Sequence, residues 1–155
     1  MIEMAINREH LTKSKDSDER YTPRWVFDKL GAHFDLDVAA PPNGNPNVPC
    51  TNYFTAQIDA LKQTWTGFIW MNPPYSKPKP WIERFIQHSN GIALLPTSHG
   101  KWWLDLWYHP GTMFVPMPPM KFDTPNGTMT TTAPWRSWLI GIGNQAEQAL
   151  KRFEQ

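Results

Sequence analysis

An apolar run that stops at two prolines constrains the fold of this chain more than any other feature. Residues 67–71 (Gly-Phe-Ile-Trp-Met) are nearly all apolar, and Asn72-Pro73-Pro74-Tyr75 follows them at once. A short, continuous apolar run bounded by turn signals is typical of a strand buried on both faces, as in a parallel sheet. The run therefore predicts a central strand whose carboxyl end leads directly into Asn72.

Further strands and helices alternate on either side of this run. The predicted strands are 34–40, 52–54, 67–71, 92–95, 113–115 and 136–142, and the predicted helices are 23–30, 56–63, 80–89, 101–108 and 145–153. Threonine is favoured at the N-cap of a helix and proline at the first helical position, so Thr22 and Pro23 predict the start of a helix. Such alternation predicts an α/β fold, with a mostly parallel central sheet, helices on both faces, and ligands beyond the carboxyl ends of the strands.

Length and composition set the expected domain organisation. A chain of 155 residues suits one domain, so we expect a mobile polar arm over residues 1–20 and a single domain over 21–155. The single Cys50 excludes a disulfide framework, and the histidines lack metal-ligand spacing, so no metal site is expected. No run approaches the ~18 apolar residues of a membrane span, and the N-terminus is unlike a signal peptide. These features predict a cytoplasmic protein with no membrane partner.

The Asn-Pro-Pro-Tyr sequence brings two hydrogen-bond acceptors together. The side-chain carbonyl of Asn72 and the backbone carbonyl of Pro73 can bind both hydrogens of an –NH₂ group, because stiff prolines hold them in place. When the amine is conjugated to an aromatic ring, this pairing draws the lone pair out of conjugation and back to the nitrogen. Tyr75 can stack on the same ring. The motif favours in-line attack by a weakly nucleophilic amine or amide, without a covalent enzyme intermediate. A tight turn with no chemical role is the alternative.

Several short motifs stand in a fixed order around Asn72. They are residues 21–25, 34–40, 52–55, 59–61, 70–76 and 94–96, together with Trp81. This ordered set, spread over residues 20–142, resembles the phage-type DNA N-6-adenine methyltransferase (Dam) family. The resemblance implies a shortened Rossmann-like methyltransferase fold and a methyl transfer from S-adenosylmethionine to adenine N6 in DNA. The adenine would be flipped out of a duplex or already single-stranded.

The resemblance also implies a role for each matching residue. Asn72, Pro73, Pro74 and Tyr75 would form the catalytic motif, and the cofactor would lie against Tyr21, Thr22, Pro23, Asp37, Ala39, Ala40 and Asp59. Asp37 would meet the methionine part of the cofactor, and Asp59 its adenine or ribose. Asp37 as a helix cap and Asp59 as an exposed helix acid are the alternatives. The glycine-rich turn of other methyltransferases is absent after Asp37, but the two alanines still allow close approach.

The charge distribution changes after the motif. Residues 76–121 contain five Lys or Arg against two acidic residues, whereas residues 22–75 contain three against four. We expect phosphate contacts from Lys77, Lys79, Lys101 and Lys121, with an ordinary solvated surface as the alternative. A chain of this length leaves no room for a separate domain that recognises the DNA sequence. Any such recognition would be made by residues 77–80, 99–101 or the irregular segment 116–134. Trp102, Trp103 and Trp107 are predicted to lie in the core, with a platform for base stacking as the alternative.

Two other classes of function fit parts of the sequence. An RNA or protein-glutamine methyltransferase would use the same amine chemistry. A non-enzymatic docking protein would instead present the proline-rich residues 77–80 and 115–119 as polyproline helices. Calorimetric titration with S-adenosylmethionine separates the docking protein from the enzymes, because only the enzymes should give heat. The oligomeric state stays open, and a phage-encoded enzyme would act in the cytoplasm of its bacterial host.

Overall fold

A six-stranded sheet organises residues 20–155, the part of the chain that the computed structural model describes. The strands are β1 (Phe34–Asp37), β2 (Cys50–Tyr53), β3 (Ile69–Met71), β4 (Gly91–Pro96), β5 (Thr112–Pro116), β6 (Asp123–Thr124), β7 (Gly127–Thr128) and β8 (Ser137–Ile142). The helices are α1 (Arg24–Leu30), α2 (Lys79–His88), α3 (Lys101–Tyr108) and α4 (Asn144–Glu154). Strands β6 and β7 form a separate hairpin. The predicted mobile arm lies outside the described residues, except for Arg20.

The sheet has the order β2-β1-β3-β4-β8-β5 and is mostly parallel. Only β8 runs antiparallel to its neighbours β4 and β5. This architecture confirms the predicted α/β class and agrees with a Rossmann-like methyltransferase fold. The chain passes from β1 outward to β2 and then returns to β3 on the other side of β1. The carboxyl ends of β1 and β3 therefore flank a switch point, where ligands bind in open α/β sheets.

Helices cover both faces of the sheet, as predicted. Helices α1 and α4 pack on one face and α2 and α3 on the other, each over its own apolar core. Strand β3 contributes to both cores, because successive side chains of a strand point to opposite faces. Trp70 lies in the first core, whereas Ile69 and Met71 lie in the second. This two-sided burial explains why the run before Asn72 is continuously apolar.

Four local predictions are wrong. Strand β1 ends at Asp37 rather than at residue 40, because the chain turns at residues 38–39, where the Ala39 N–H donates to Asp37. Residues 56–63 form two 3₁₀ turns, Ala56–Ile58 and Ala60–Lys62, because Asp59 between them has a φ of +55°. Helix α1 begins one residue later than predicted, since Pro23 is extended and the Thr22 side chain does not cap it. The segment 116–134 is not wholly irregular, because it contains the β6–β7 hairpin.

Gly67, in the turn before β3, has no room for a side chain. It has a φ of +74°, and a Cβ atom there would overlap the carboxylate of Asp35, which accepts a hydrogen bond of 2.7 Å from the Phe68 N–H. We expect Gly67→Ala to lower the free energy of unfolding by about 2 kcal/mol, as the sum of backbone strain and a weakened hydrogen bond.

Gly111 offers a matched control for this prediction. Its φ is +79°, but a Cβ atom there would meet nothing within 4 Å. Gly111→Ala should therefore cost only the backbone term, about 1 kcal/mol. Urea denaturation of both variants measures the two costs. Equal losses would show that Asp35 yields without penalty.

Candidate active site

The carboxyl ends of β1 and β3 bring Asp37 next to the Asn72 segment. Asp37 is paired with Trp70 across the two strands, and the Val38 N–H donates to the Trp70 carbonyl at 3.0 Å. Asn72 directly follows Met71, the last residue of β3. The parallel register therefore places the acidic end of one strand beside the amide end of the next, as the alternating sequence pattern predicts.

The carboxamide of Asn72 is held through its nitrogen. Its Nδ2 donates to the Arg20 carbonyl at 2.6 Å and lies 3.4 Å from the Thr22 hydroxyl oxygen. Thr22 is fully buried, and Asn72 is half-buried. Because the nitrogen is engaged by these acceptors, Oδ1 is turned the opposite way and can accept a hydrogen bond from another molecule. Pro73, the next residue, is buried, and Pro74 is half-buried.

The residues from Arg20 to Thr22 form a short extended segment that lies against this carboxamide. Tyr21 exchanges two backbone hydrogen bonds with Asp123 of β6, at 2.8 and 3.0 Å. The Thr22 carbonyl accepts from the side-chain amides of Asn47 at 3.2 Å and Asn45 at 3.4 Å. Of the predicted residues, Thr22 thus meets Asn72 directly, and Tyr21 and Pro23 are its neighbours in the chain. Sequence reasoning missed Asn45, Asn47 and Asp123.

Tyr75 presents a half-buried ring with its hydroxyl turned inward. The hydroxyl donates to the Leu94 carbonyl at 3.4 Å, and burial raises the pKa of Tyr75 well above its ordinary value. Its ring meets Trp135 edge to face, with 6.0 Å between the ring centroids and an angle of 88°. The hydroxyl is therefore neutral at physiological pH, and the ring offers an apolar surface. Trp135 was not foreseen, because it lies in the segment between β7 and β8, far along the chain.

Asp37 is a buried carboxylate in a tight turn. It is 3% exposed, and its Oδ1 accepts a hydrogen bond of 3.2 Å from the Ala39 N–H. Desolvation by burial raises the pKa of Asp37 to about 7, although the Ala39 hydrogen bond opposes this change. The Ala40 N–H donates to the Phe54 carbonyl at 2.8 Å, which ties the turn to the end of β2. Asp37 thus binds its own turn rather than a helix end.

Comparison with known proteins identifies the family. A family model described as DNA N-6-adenine-methyltransferase (Dam) matches residues 9–115. The chain belongs to the Dam family. A curated relative, the DNA N-6-adenine-methyltransferase of Haemophilus phage HP1 (strain HP1c1), is 34% identical over 105 residues. The alignment covers 61% of this Dam-family chain and 59% of the relative, so the chain spans less than two thirds of the relative's length.

Asp59 is an exposed residue, unlike the buried Asp37. It is exposed between the two 3₁₀ turns, and its carboxylate lies 3.6 Å from the Lys62 ammonium. This environment is that of the exposed acid given above as the alternative. A cofactor role for Asp59 in this Dam-family chain stays a prediction.

The four predicted phosphate-binding lysines are all exposed. Lys79 and Lys101 are the first residues of α2 and α3, which follow the parallel strands β3 and β4, so both lie at the same sheet edge as Asn72. Lys77 precedes α2 and Lys121 precedes β6. Lys79 and Lys101 each contact an acid one helical turn on, at 4.0 and 3.5 Å, in exposed pairs that contribute little to stability. The lysines thus stay available to an anionic partner.

Helix α3 buries its tryptophans less fully than the sequence predicts. Trp102 and Trp103 are half-buried, but Trp107 is 56% exposed, so the prediction of a core position is wrong for Trp107. Its ring packs on one side against Phe114 of β5, with 5.0 Å between centroids. Because β5 is the edge strand of the sheet, no further element covers the outer side of this ring within residues 20–155.

Within residues 20–155, no helix combines the length and apolar composition needed to cross a membrane. In the same part of the chain, no three His, Cys, Asp or Glu side chains are grouped closely enough to hold a metal ion.

Proposed function

We propose that this Dam-family chain transfers a methyl group from S-adenosylmethionine to the N6 amine of adenine in DNA. The observation that carries the proposal is the Asn72 carboxamide, which is held through its nitrogen and leaves Oδ1 to accept from an amine. Its place at the end of β3, beside the buried Asp37 at the end of β1, supports a site for two reactants.

The reaction requires an amine that regains its lone pair. Asn72 Oδ1 and the Pro73 carbonyl would accept the two hydrogens of the adenine N6 amine and draw the nitrogen toward tetrahedral geometry. When bound, S-adenosylmethionine supplies an electrophilic methyl carbon on a sulfonium. The donor's sulfur would keep the electron pair of the S–C bond as the methyl carbon bonds to the amine nitrogen, and the amine would then lose a proton to solvent. Positioning accounts for most of the rate, because no side chain here forms a covalent bond.

Asp37 has the chemistry needed to hold the amino group of the cofactor. A buried carboxylate with a raised pKa and one hydrogen bond from Ala39 gains most from a cationic partner. Ala39 and Ala40 are small enough for close approach, while Tyr21, Thr22 and Pro23 would wall the other side. Asp59 would reach the ribose or adenine only by leaving Lys62, which costs little for an exposed pair.

Adenine in a duplex cannot reach a site at the edge of a sheet, so the base would have to be flipped out or unpaired. Tyr75 would stack on the extruded ring. Lys77, Lys79, Lys101 and Lys121 would contact the phosphates on either side. Affinity for DNA should then fall as the salt concentration rises, because bound phosphates release counterions. In a phage-infected bacterium this chemistry would take place in the host cytoplasm.

The structure of the two proline-rich segments argues against the alternative of a non-enzymatic docking protein. Pro78 has helical dihedral angles and Lys79 starts α2, so residues 77–80 are not a polyproline helix. In the second proline-rich segment, Val115 and Pro116 are paired with β8 and Met117 is buried.

Transfer of a labelled methyl group tests the proposal. The protein is incubated with methyl-labelled S-adenosylmethionine and, in separate reactions, with DNA, RNA or a mixed protein substrate. We expect label in DNA alone. Label only in RNA or protein would replace the proposal with another amino-group methyltransferase. Absence of label in every reaction, together with no heat on titration of the donor, would overturn it.

Two substitutions at Tyr75 test the stacking role. We expect Tyr75→Ala to lower kcat/KM for DNA by about 10- to 100-fold, the size of a lost base–aromatic stack. Tyr75→Phe should stay within about threefold of the wild type, because the ring survives and the bond to Leu94 is long. Steady-state kinetics on both variants provides the measurement. An inactive Tyr75→Phe with unchanged thermal unfolding would show that the hydroxyl, rather than the ring, is required.

A further inference from the structure

Asn47 and Asp123 lie outside the Asn72 motif, but a chain of hydrogen bonds connects them to it. Asn47 Nδ2 donates to the Thr22 carbonyl at 3.2 Å and to Asp123 Oδ2 at 2.9 Å. The Asp123 carbonyl in turn accepts from the Tyr21 N–H, and the Asp123 N–H donates to the Tyr21 carbonyl. We call this pair of side chains the Asn47–Asp123 clamp. The segment that it grips carries both acceptors of the Asn72 nitrogen.

The orientation of the Asn72 carboxamide determines whether it can bind an amine. Rotation by 180° would present its NH₂ group to the substrate NH₂ group, which donates as well, and the pairing would be lost. The terminal torsion of an asparagine is broad, so it does not set this orientation by itself. The acceptors at Arg20 and Thr22 do set it, provided that their segment stays in place.

The segment from Arg20 to Thr22 is not a strand of the main sheet. Tyr21 forms an isolated pair with Asp123, outside the named strands. We propose that Asn47 and Asp123 are positioning residues for methyl transfer, which fix this segment so that Asn72 turns its oxygen toward the amine. This inference rests on the proposed function of Asn72.

The clamp is itself held from two directions. The second carboxylate oxygen of Asp123, Oδ1, accepts from the Thr128 hydroxyl at 2.9 Å. The Asn47 N–H donates to Asn45 Oδ1 at 3.0 Å. Asp123 lies beyond residues 9–115, which match the family model. The clamp therefore ties the matched region to the hairpin that follows it.

Kinetics of Asn47→Ala test the inference. We expect kcat to fall about tenfold, because displacement of a reacting group by a fraction of an ångström has effects of this order. The KM for DNA and the Kd for S-adenosylmethionine should stay within about twofold, since Asn47 touches neither ligand in the proposed arrangement. Asn144→Ala is the control, because Asn144 is exposed at the opposite edge of the sheet; it should match the wild type. All assays run below the unfolding midpoint of each variant.

Two variants of Asp123 separate positioning from general loss of structure. Asp123→Asn keeps an acceptor oxygen for the Asn47 amide and should lose at most about threefold in kcat. Asp123→Ala removes the acceptor and should lose about tenfold. Equal kcat values for the two variants, or a parallel loss in kcat, KM and Kd, would overturn the positioning role.

A double-mutant cycle with Asn72 distinguishes this inference from the proposed function. Single-turnover rates are measured for Asn47→Ala, Asn72→Ala and both together. If the clamp acts through Asn72, Asn47→Ala has no further effect once Asn72 is alanine. If the rate losses of the two single variants multiply in the double variant, the clamp alone is overturned. The same holds if Asn47→Ala keeps the wild-type rate while Asn72→Ala is inactive. An Asn72→Ala variant that keeps full kcat would overturn the role of Asn72, and the clamp with it, whereas absence of methyl transfer by the wild type would overturn the proposed function.

Discussion

Asn72→Ala is expected to lower kcat for methyl transfer by about a thousandfold, the upper range for loss of one preorganised hydrogen-bonding group. The variant loses the acceptor that would engage the adenine amine. The Kd for S-adenosylmethionine should stay within about threefold, because the proposed cofactor contacts are made by Asp37 and its turn. Isothermal calorimetry and single-turnover kinetics on the same preparation measure both quantities.

Asn72→Asp is a sharper comparison. It keeps an acceptor oxygen but loses the N–H groups that bind the Arg20 carbonyl, so it should retain more activity than alanine. Circular dichroism on both variants serves as the folding control. A parallel loss of kcat and donor affinity in Asn72→Ala would mean that the side chain supports the fold of this edge rather than the reaction.

Affinity for S-adenosylmethionine is expected to rise about tenfold between pH 6 and pH 8, because burial raises the pKa of Asp37 to about 7. Below this pKa the carboxyl is protonated and does not attract an ammonium group, so binding must first release the proton. Above it the carboxylate is ionised, and any further change in affinity comes from deprotonation of the ligand's own ammonium group. Calorimetry across this range in buffers of different ionisation enthalpy measures the affinity and the proton release together.

Asp37→Asn should remove this pH dependence and lower affinity at pH 8 by about a hundredfold, as for loss of a buried charge partner. It should also raise the thermal stability of the unliganded protein at pH 8. The reason is linkage: an acid whose pKa is raised on folding contributes stability below pH 3.8 that is lost as the pH rises through about 7. A pH-independent affinity in the wild type would contradict the role of Asp37.

The sequence predicts the centre of this fold well. The apolar run before Asn72 indicated a strand buried on both faces, and β3 contributes side chains to both cores. Alternation of strands and helices predicted the mostly parallel sheet and hence the neighbouring ends of β1 and β3. Such features depend on local periodicity, which a single sequence displays directly.

The surroundings of Asn72 depend on contacts that a sequence does not display. The pairing of Tyr21 with Asp123 joins residues far apart in the chain, and no local signal marks either partner. Asn47 stands in a loop rich in Asn and Pro, where such residues ordinarily form turns. The break at Asp59 depends on one left-handed residue in a segment whose composition favours a helix. The roles of the individual site residues stay predictions for the variants described above.

Identification of the methylated atom tests the central claim most directly. DNA methylated by the wild-type protein with labelled donor is digested to nucleosides and analysed by mass spectrometry against authentic standards. We expect the label in N6-methyldeoxyadenosine, and its loss from the Asn72→Ala reaction. A methyl group at a ring carbon or ring nitrogen would contradict amine activation by Asn72, and a methyl group on the cytosine amine would contradict adenine as the acceptor.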